Sequence, residues 1–247
     1  MKKILLILLL GISLSAFGKK LYMGTNAEFV PYEYLENGQL KGFDIELMEA
    51  VGNELGYEIV WTNMGFDGLL PALQMKKIDG VIAGMAPTPE REKAVSFSMP
   101  YMLVSSNEHY VLVNNNSKLT DKNELKNKKV GVQIGTIQEE FTKSLGGIPV
   151  LYDGWTGAIM DLSQGKIDGV IIADVTGDKF LNNIEGIKKI DTVIDSNPGA
   201  AIAFRKNDPI VSKVNDAINS LNKNGKYLEI LKKYFPEKVE GYKKLNF

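Results

Sequence analysis

The stretch Ile78–Arg91 combines residue types that suit the binding of a small carboxylate. Its apolar residues predict a short buried strand ending at Gly84, where backbone groups stay accessible because glycine has no Cβ. Thr88 and Pro89 then predict a helix start, which places Arg91 one turn into a short helix. A guanidinium at that position can reach back over the strand end and hold a carboxylate through two hydrogen bonds. The alternative is a solvated arginine on a surface helix.

Asp174 is the candidate acidic counterpart of this arginine. The hexapeptide Lys166–Ile171 repeats the sequence KIDGVI of Lys77–Ile82. The first copy leads to Gly84 and the second leads to Asp174, so the repeat favours two lobes of similar build that face each other. An ionised carboxylate at the second strand end suits a ligand ammonium group. The alternative for Asp174 is a helix N-cap.

Further candidates lie beside predicted strand ends. Phe29 and Phe66 can sandwich an aliphatic stem, or they can be ordinary core residues. Asn26 and Gln133 are neutral amides suited to a polar ligand side chain, or they are turn and strand-end partners. Glu28 can meet a cationic head group, or it can be a solvated charge. The residue types alone leave these alternatives open.

A helix start in the second half offers an anion site. Lys129–Ile134 predicts a strand, and Thr136 with Glu139 fits the capping-box pattern at the start of the next helix. Backbone N–H groups at a helix N-terminus attract anions. We therefore expect this helix end to lie near the bound carboxylate.

The elements that position these residues alternate between strand and helix. Leu21–Thr25 and Tyr57–Thr62 predict strands, and Asp44 is predicted to cap the intervening helix, which ends at Gly56. This alternation is typical of βαβ units and a mostly parallel sheet, in which ligands bind beyond the carboxyl ends of the strands. The candidates that follow predicted strands in this half are Phe29, Phe66, Gly84 and Arg91.

The pattern predicts two lobes with a cleft between them. The extended segments Glu108–Val113 and Ala200–Arg205 are the predicted crossovers and hinge strands, and small-molecule sites are common at such interfaces. The predicted fold class is α/β, two-lobed, with mostly parallel sheets flanked by helices. The predicted units are an export signal (1–18), a discontinuous first lobe (19–110 and 204–247) and a second lobe (111–203).

The N-terminus has the pattern of an export signal. Lys2 and Lys3 precede the apolar run Ile4–Leu10, and small residues lead to an expected cleavage site after Gly18. The sequence has no cysteine, which excludes disulfides, thiolate metal sites and a lipid-modified cysteine. We expect an exported, unanchored protein in the periplasm, with secretion to the medium as the alternative.

Composition and motifs favour binding over other functions. The formal net charge is −1, which gives no support for nucleic-acid binding. His109 is the only histidine, so a transition-metal site is not expected and a packing role is predicted. The sequence shows no nucleophile elbow and no glycine-rich phosphate loop. We expect no catalytic residues and no cofactor.

The sequence resembles the polar amino-acid-binding proteins of ABC importers, the solute-binding family 3 with the type II periplasmic-binding fold. The resemblance extends from Leu21 to about Phe235. The motifs that carry it are GTNAEFVPYEY (24–34), GFDIEL (42–47), FDGLLPALQMKKID (66–79), AGMAPTPERE (83–92), FSMPY (97–101), VGVQIGTIQEE (130–140) and GKIDGVIIAD (165–174).

The resemblance implies a role for each candidate. Arg91 is similar to the family's α-carboxylate clamp, helped by backbone groups near Thr136 and Ile137, while Asp174 and the Gly84 carbonyl match the α-ammonium acceptors. The aromatic pair matches the side-chain walls, and the two amides match positions that read the ligand side chain. The implied ligand-binding residues are Asn26, Phe29, Phe66, Gly84, Met85, Ala86, Arg91, Gln133, Thr136, Ile137 and Asp174.

The sequence also departs from the family pattern. Ala86 stands where the family usually has threonine or serine, so one hydroxyl contact is missing, and Pro87 removes a nearby N–H group. Ile137 replaces a common small or hydroxylated residue, which leaves its backbone for the ligand. These differences bear on affinity more than on function.

The function implied is binding of one polar or cationic L-amino acid (arginine, lysine or glutamine class) for delivery to the membrane permease of an ABC importer. We expect a monomer. Two other classes stay open: a dehydratase-like enzyme on the same fold, and an extracytoplasmic sensor or adhesion module.

Overall fold

The computed structural model describes residues 18–102, 108–197 and 199–243, so the predicted export signal lies outside the described residues except for Gly18. The strands are β1 (Lys19–Thr25), β2 (Glu28–Phe29), β3 (Glu33–Glu36), β4 (Gln39–Lys41), β5 (Tyr57–Asn63), β6 (Gly80–Val81), β7 (Val95–Pro100), β8 (Glu108–Asn114), β9 (Lys129–Gln133), β10 (Ile148–Tyr152), β11 (Gly169–Ala173), β12 (Ile187–Ile194) and β13 (Ala201–Arg205). The α-helices are α1 (Phe43–Leu55), α2 (Phe66–Gln74), α3 (Pro89–Ala94), α4 (Ile137–Ser144), α5 (Trp155–Ser163), α6 (Asp174–Asn183), α7 (Ile210–Lys223), α8 (Lys226–Tyr234) and α9 (Val239–Lys243).

Two five-stranded sheets share one arrangement of strand directions. The first has the order β5-β1-β6-β13-β7, and β13 is antiparallel to both of its neighbours. The second has the order β10-β9-β11-β8-β12, and β8 is the antiparallel strand in the same fourth position. Strands β2, β3 and β4 form a small antiparallel sheet. The predicted α/β class with mostly parallel sheets is confirmed.

The repeated hexapeptide has the same structural role in both halves. Asp79 accepts a hydrogen bond from the Tyr22 amide at 3.1 Å, and Asp168 accepts one from the Lys129 amide at 2.8 Å. Each aspartate thereby ties the start of a central strand to the neighbouring parallel strand, β1 or β9. This equivalence explains why the same residues recur just before β6 and β11.

The chain passes between the sheets just before the two strands predicted as crossovers. β8 pairs with β11 and β12, and β13 pairs with β6 and β7, so each strand belongs to one sheet. The chain therefore leaves the first sheet between Pro100 and Glu108 and returns between Ile194 and Ala201. Pairing on both sides satisfies the backbone groups of these strands within one sheet.

The buried apolar clusters divide in the same way. One aromatic cluster lies under the first sheet, with Phe43 in ring contact with Tyr101, Tyr227 and Phe235. The clusters of the second half draw their buried residues from between Val111 and Ile187. The division into two lobes stays a proposal, which this separation of the cores supports. Its predicted boundaries at 110/111 and 203/204 differ from the strand pairing, because they cut through β8 and β13, and each of these strands pairs within one sheet.

The start of α1 differs from the prediction. Gly42, with φ of 131°, is the N-cap, so Asp44 lies inside the first turn, where it is buried. The amides of Phe43 and Asp44 donate to the Pro31 and Tyr32 carbonyls at 3.0 and 2.9 Å. A Cβ on Gly42 would lie 2.1 Å from the Tyr32 oxygen, so only glycine allows this close approach. The predicted end at Gly56, in the left-handed region at φ 72°, is confirmed.

Replacing Gly42 with alanine tests this contact. We expect Gly42→Ala to lower the free energy of unfolding by about 3 kcal/mol or more, because it adds backbone strain and a steric clash. Urea denaturation measures the loss. Gly38→Ala is the matched control, since Gly38 also has a positive φ (76°) but has no atom within 4 Å of the position that a Cβ would take. Equal losses in the two variants would contradict the close-approach explanation.

Candidate functional site

Two adjoining cavities lie between the carboxyl ends of the parallel strands of the two sheets. The first holds about 480 Å³ of space and the second about 460 Å³, both partly open to solvent. Ten predicted site residues line the first cavity: Asn26, Phe29, Phe66, Gly84, Met85, Ala86, Arg91, Gln133, Thr136 and Ile137. The eleventh, Asp174, lines the second cavity. The two cavities share Phe29, Gly84, Ala86, His109, Ile137 and Ala173.

The Arg91 guanidinium contacts both halves of the molecule. Thr88 caps α3 by accepting from the Arg91 amide at 3.3 Å, as predicted. Nη1 donates to the Ala86 carbonyl at 2.8 Å, and Nη2 donates to the Gly135 carbonyl at 3.1 Å. These bonds use two of the five guanidinium N–H donors, so three can meet a ligand. Burial lowers the pKa of Arg91 from its usual value, and Glu140 and Asp195 oppose that shift.

Aromatic rings form two walls of the first cavity. The Arg91 guanidinium carbon lies 5.5 Å from the centre of the Phe66 ring, within the range of a cation–π contact. Phe29 stacks on Tyr32 with ring centres 4.7 Å apart and planes at 5°. Phe29 and Phe66 are both half-buried, so their rings combine support from neighbours with a face on the cavity.

Asn26 and Gln133 join the two halves at the edge of the first cavity. Gln133 Nε2 donates to Asn26 Oδ1 and to the Asp153 carbonyl, both at 2.9 Å. Asn26 Nδ2 donates to the Met64 carbonyl at 2.9 Å. Both amide hydrogens of Gln133 are thus used, which fixes its orientation and leaves Oε1 as an acceptor.

Gly84 is held from two sides. Its amide donates to Asp44 Oδ2 at 2.8 Å. Its φ is 56°, and an added Cβ would lie 2.4 Å from Cε1 of Phe29. Glycine therefore lets the Phe29 ring pack directly on this backbone, and the following residues Met85 and Ala86 continue along the cavity wall.

The start of α4 differs in detail from the predicted capping box. Thr136 is the N-cap by position, but its hydroxyl donates to the Gln133 carbonyl at 2.7 Å. Glu139 accepts from the Gly135 amide at 3.5 Å instead of reaching the Thr136 amide. The hydroxyl closes the turn after β9, because a carbonyl acceptor lies within reach there. The first turn of α4, beginning at Ile137, still faces the cavity.

Asp174 lies in an acidic part of the second cavity. It is the first residue of α6, whose N-cap is Ala173, and its Oδ1 accepts from the Val175 amide at 2.8 Å. Glu108 and Asp195 line the same cavity. The site therefore has its arginine on one cavity and the acidic residues Glu108, Asp174 and Asp195 on the adjoining one, which suits a molecule with charges of both signs.

His109 lines both cavities in addition to packing in the interior. Its Nδ1 lies 3.1 Å from Gln138 Nε2, and its ring centre lies 5.1 Å from that of Phe141. Burial lowers the pKa of His109, so the ring is neutral near pH 7. The sequence predicted only its packing role, because its position on β8 gives no sign of the cavity.

Other cavity residues were missed at the sequence level. Gln138 and Trp155 both follow strands of the second sheet, so the strand-end rule applied further along the chain would have found them. Glu33 lines the cavity from β3 and carried no such signal. Glu28, considered for a cationic ligand, is exposed and lines neither cavity.

Metal sites and membrane-spanning helices are both absent from the described part of the chain. Within it, no set of three or more histidine, cysteine, aspartate or glutamate side chains is arranged to hold a metal ion. None of its helices combines the length and apolar character needed to cross a membrane.

Comparison with known proteins identifies similar chains. The family model of the bacterial extracellular solute-binding proteins, family 3, matches residues 21–237. The arginine-binding extracellular protein ArtP of Bacillus subtilis is 36% identical over 223 residues, covering 88% of this chain and 86% of ArtP. The ABC transporter arginine-binding protein 1 of Escherichia coli is 32% identical, covering 89% of this chain and 92% of that protein.

A solved structure shows the same architecture. A periplasmic binding protein of Salmonella typhimurium, described as having high arginine specificity, aligns with a TM-score of 0.81 at 33% sequence identity. The alignment covers 88% of this chain and 100% of that one.

A double-mutant cycle tests the Asn26–Gln133 hydrogen bond. We expect the losses in unfolding free energy for Asn26→Ala and Gln133→Ala to be non-additive by about 1 kcal/mol, because each removes the same bond. Urea denaturation of the wild type, the two single variants and the double variant gives the three losses. The matched control pairs Asn26→Ala with Thr176→Val, since the Thr176 hydroxyl joins the halves separately through the Val30 carbonyl at 3.2 Å. Additivity in the Asn26–Gln133 cycle would contradict a direct interaction.

Proposed function

The chain belongs to family 3 of the bacterial extracellular solute-binding proteins, and on this premise we propose that it is the substrate-binding component of an ABC amino-acid importer. Its ligand is one polar or cationic L-amino acid of the arginine, lysine or glutamine class, held between two lobes. The protein acts as a monomer in the periplasm and presents the ligand to a membrane permease. The arginine-binding relatives support the ligand class.

The observation that carries the proposal is the position of Arg91. Its guanidinium bonds Ala86 in one half and Gly135 in the other and keeps three N–H donors for a ligand. We assign the α-carboxylate to these donors and to the backbone at Thr136 and Ile137. A half-buried, two-pronged guanidinium is well matched to a carboxylate.

The α-ammonium is assigned to Asp174 and to the Gly84 carbonyl. Gly84 lines both cavities, so it lies between the proposed carboxylate and ammonium sites. A ligand that lacked either charge would leave a partner unpaired in the cleft, which is costly. This requirement selects α-amino acids as a class.

Two groups bear on the ligand side chain. Gln133 Oε1 is an acceptor, which suits the donors of a guanidinium, an ammonium or a carboxamide. Trp155 lines the same cavity, and its buried indole N–H has no acceptor among the described residues. A ligand carboxamide has an oxygen that can accept a hydrogen bond from this N–H group. A ligand guanidinium has no acceptor, so it can contact the Trp155 ring only through a cation–π interaction.

Binding and closure are linked in this proposal. A ligand that contacts residues of both halves favours the closed conformation, and the permease recognises the closed conformation. The enzyme alternative requires an acid or base beyond the groups assigned to the ligand. Incubation with prephenate-like and amino-acid substrates, followed by product analysis, tests it, and turnover would overturn the binding-only assignment.

The ligand is identified first by a thermal-shift screen of the twenty amino acids. We expect one or a few polar or cationic amino acids to raise the melting temperature, because a ligand that binds the folded state stabilises it by mass action. Absence of any shift at millimolar concentrations would contradict the proposed function.

Arg91→Ala then tests the carboxylate assignment by calorimetry. We expect binding to weaken by about 3 kcal/mol or more, which is over a hundredfold, because the ligand carboxylate loses its charged partner. Lys93→Ala is the matched control, since it removes a cation from the same helix at an exposed position and should bind normally. Near-native affinity in Arg91→Ala would refute the clamp.

A further inference from the structure

Two carboxyl groups meet at the wall of the first cavity, which Glu33 lines. Glu33 on β3 and Asp44 on α1 are both fully buried, and the backbones that carry them touch, since a Cβ on Gly42 would lie 2.9 Å from the Glu33 Cα. Each carboxyl acts on the pKa of the other. The close approach at Gly42 brings the two elements together, since the Asp44 amide donates to the Tyr32 carbonyl at 2.9 Å. Among the described residues, neither carboxyl is in an ion pair with a lysine, arginine or histidine.

Asp44 has two donors on one oxygen. Its Oδ2 accepts from the Gly84 amide at 2.8 Å and from the Tyr101 hydroxyl at 2.6 Å. Within the described chain, Oδ1 of Asp44 and both oxygens of Glu33 meet no protein donor. If both acids were ionised, the pair would hold two adjacent negative charges with unsatisfied oxygens in an apolar interior, which is strongly unfavourable.

One retained proton removes this conflict. As a neutral acid, Glu33 gains an O–H donor that can bond Asp44, so the Asp44 carboxylate then accepts from Gly84, Tyr101 and Glu33. Burial and the charge of Asp44 raise the pKa of Glu33 well above its usual value. Burial raises the pKa of Asp44 to about 6, while the hydrogen bonds from Tyr101 and Gly84 oppose the rise.

The neighbouring titratable groups stay neutral. The acid pair acts on the pKa values of Tyr32 and Tyr101, and burial raises the pKa of each tyrosine well above its usual value. Tyr101 therefore supplies Asp44 with a neutral hydrogen bond, and neither tyrosine supplies a compensating positive charge.

The acid pair acts on the cavity through Gly84. The Gly84 amide donates to Asp44, and the Phe29 ring packs against the Gly84 Cα, where φ is 56°. Loss of the Asp44 bond would free the backbone that lines both cavities.

We propose that Glu33 is a positioning residue: as a neutral acid it donates to Asp44, and the pair fixes Gly84 in the wall of the ligand cleft. The binding consequence rests on the proposed function, whereas the protonation of the pair can be tested without a ligand.

The first experiment measures melting temperature from pH 5 to pH 8 for the wild type and Glu33→Gln. A carboxyl whose pKa is raised on folding contributes stability at low pH that is lost as pH rises through the folded pKa. Glutamine can donate to Asp44 but does not titrate here. We expect the melting temperature of Glu33→Gln relative to wild type to rise by about 3 °C or more over this range. A difference that does not change with pH would overturn the shared proton.

Glu36→Gln is the matched control for pH. Glu36 lies on the same strand, is exposed and pairs with Lys41 at 2.6 Å. We expect no gain in relative melting temperature as pH rises for this variant, because pairing lowers the pKa of Glu36.

The second experiment measures binding of the amino acid found in the screen. We expect Glu33→Leu, which cannot donate to Asp44, to bind at least tenfold more weakly, and Glu33→Gln to stay within threefold of wild type. Circular dichroism confirms that each variant is folded, and an unfolded Glu33→Leu is replaced by Glu33→Met. Equal losses in the donor and non-donor variants, or no loss in either, would overturn positioning through the hydrogen bond.

The two experiments separate the proposals. If the wild type binds no amino acid while the pH result is as expected, the importer function fails and the protonated pair stands. If binding is found but the melting-temperature difference is flat with pH, the pair fails and the importer function stands.

Discussion

The Arg91 guanidinium, shared between carbonyl oxygens of the two halves, is the interaction on which the arrangement of the site depends. A carbonyl at 2.8 Å and another at 3.1 Å fix its plane, and the Phe66 ring lies on one side of it. The charge is half-buried and has no ion-pair partner among the described residues, so a negative group that pairs with it is favourable. An amino-acid carboxylate is such a group, so recognition and charge compensation coincide in the proposed function.

The hydrogen bonds that join described residues of the two halves are individually modest. The Arg91–Gly135, Gln133–Asn26 and Thr176–Val30 hydrogen bonds each contribute about 1 kcal/mol net in typical proteins. Bonds of this size can hold the halves together only weakly against the loss of solvent contacts and interlobe freedom. A ligand bound to both halves adds charge-assisted bonds of greater strength, and it therefore decides the balance between open and closed forms in the proposed mechanism.

Much of this arrangement could be predicted from the sequence, because parallel strands bring their carboxyl ends to one edge. Asn26 and Asp174 directly follow such strands, Gln133 ends one, and Gly84 comes three residues after the end of β6. Each of the four lines at least one of the two cavities. Contacts between distant parts of the chain could not be predicted from the sequence in the same way. Asp44 has the residue type of an N-cap, and its burial against Glu33 depends on how closely Gly42 lets α1 approach Tyr32. His109 reaches the cavities because of its strand's register, which the sequence does not specify.

The antiparallel strand in each sheet also sets the order in which the halves can be completed as the chain is made. All five strands of the second sheet come from one continuous segment, Glu108–Ile194. The first sheet has β13 between β6 and β7, so its interior stays open until Arg205 has emerged, and α7 and α8 follow later still. A chain emerging from a ribosome or an export channel can thus complete the second sheet before the first. Strands β1, β5 and β6 are made early, but their sheet is complete only after β13 has been made.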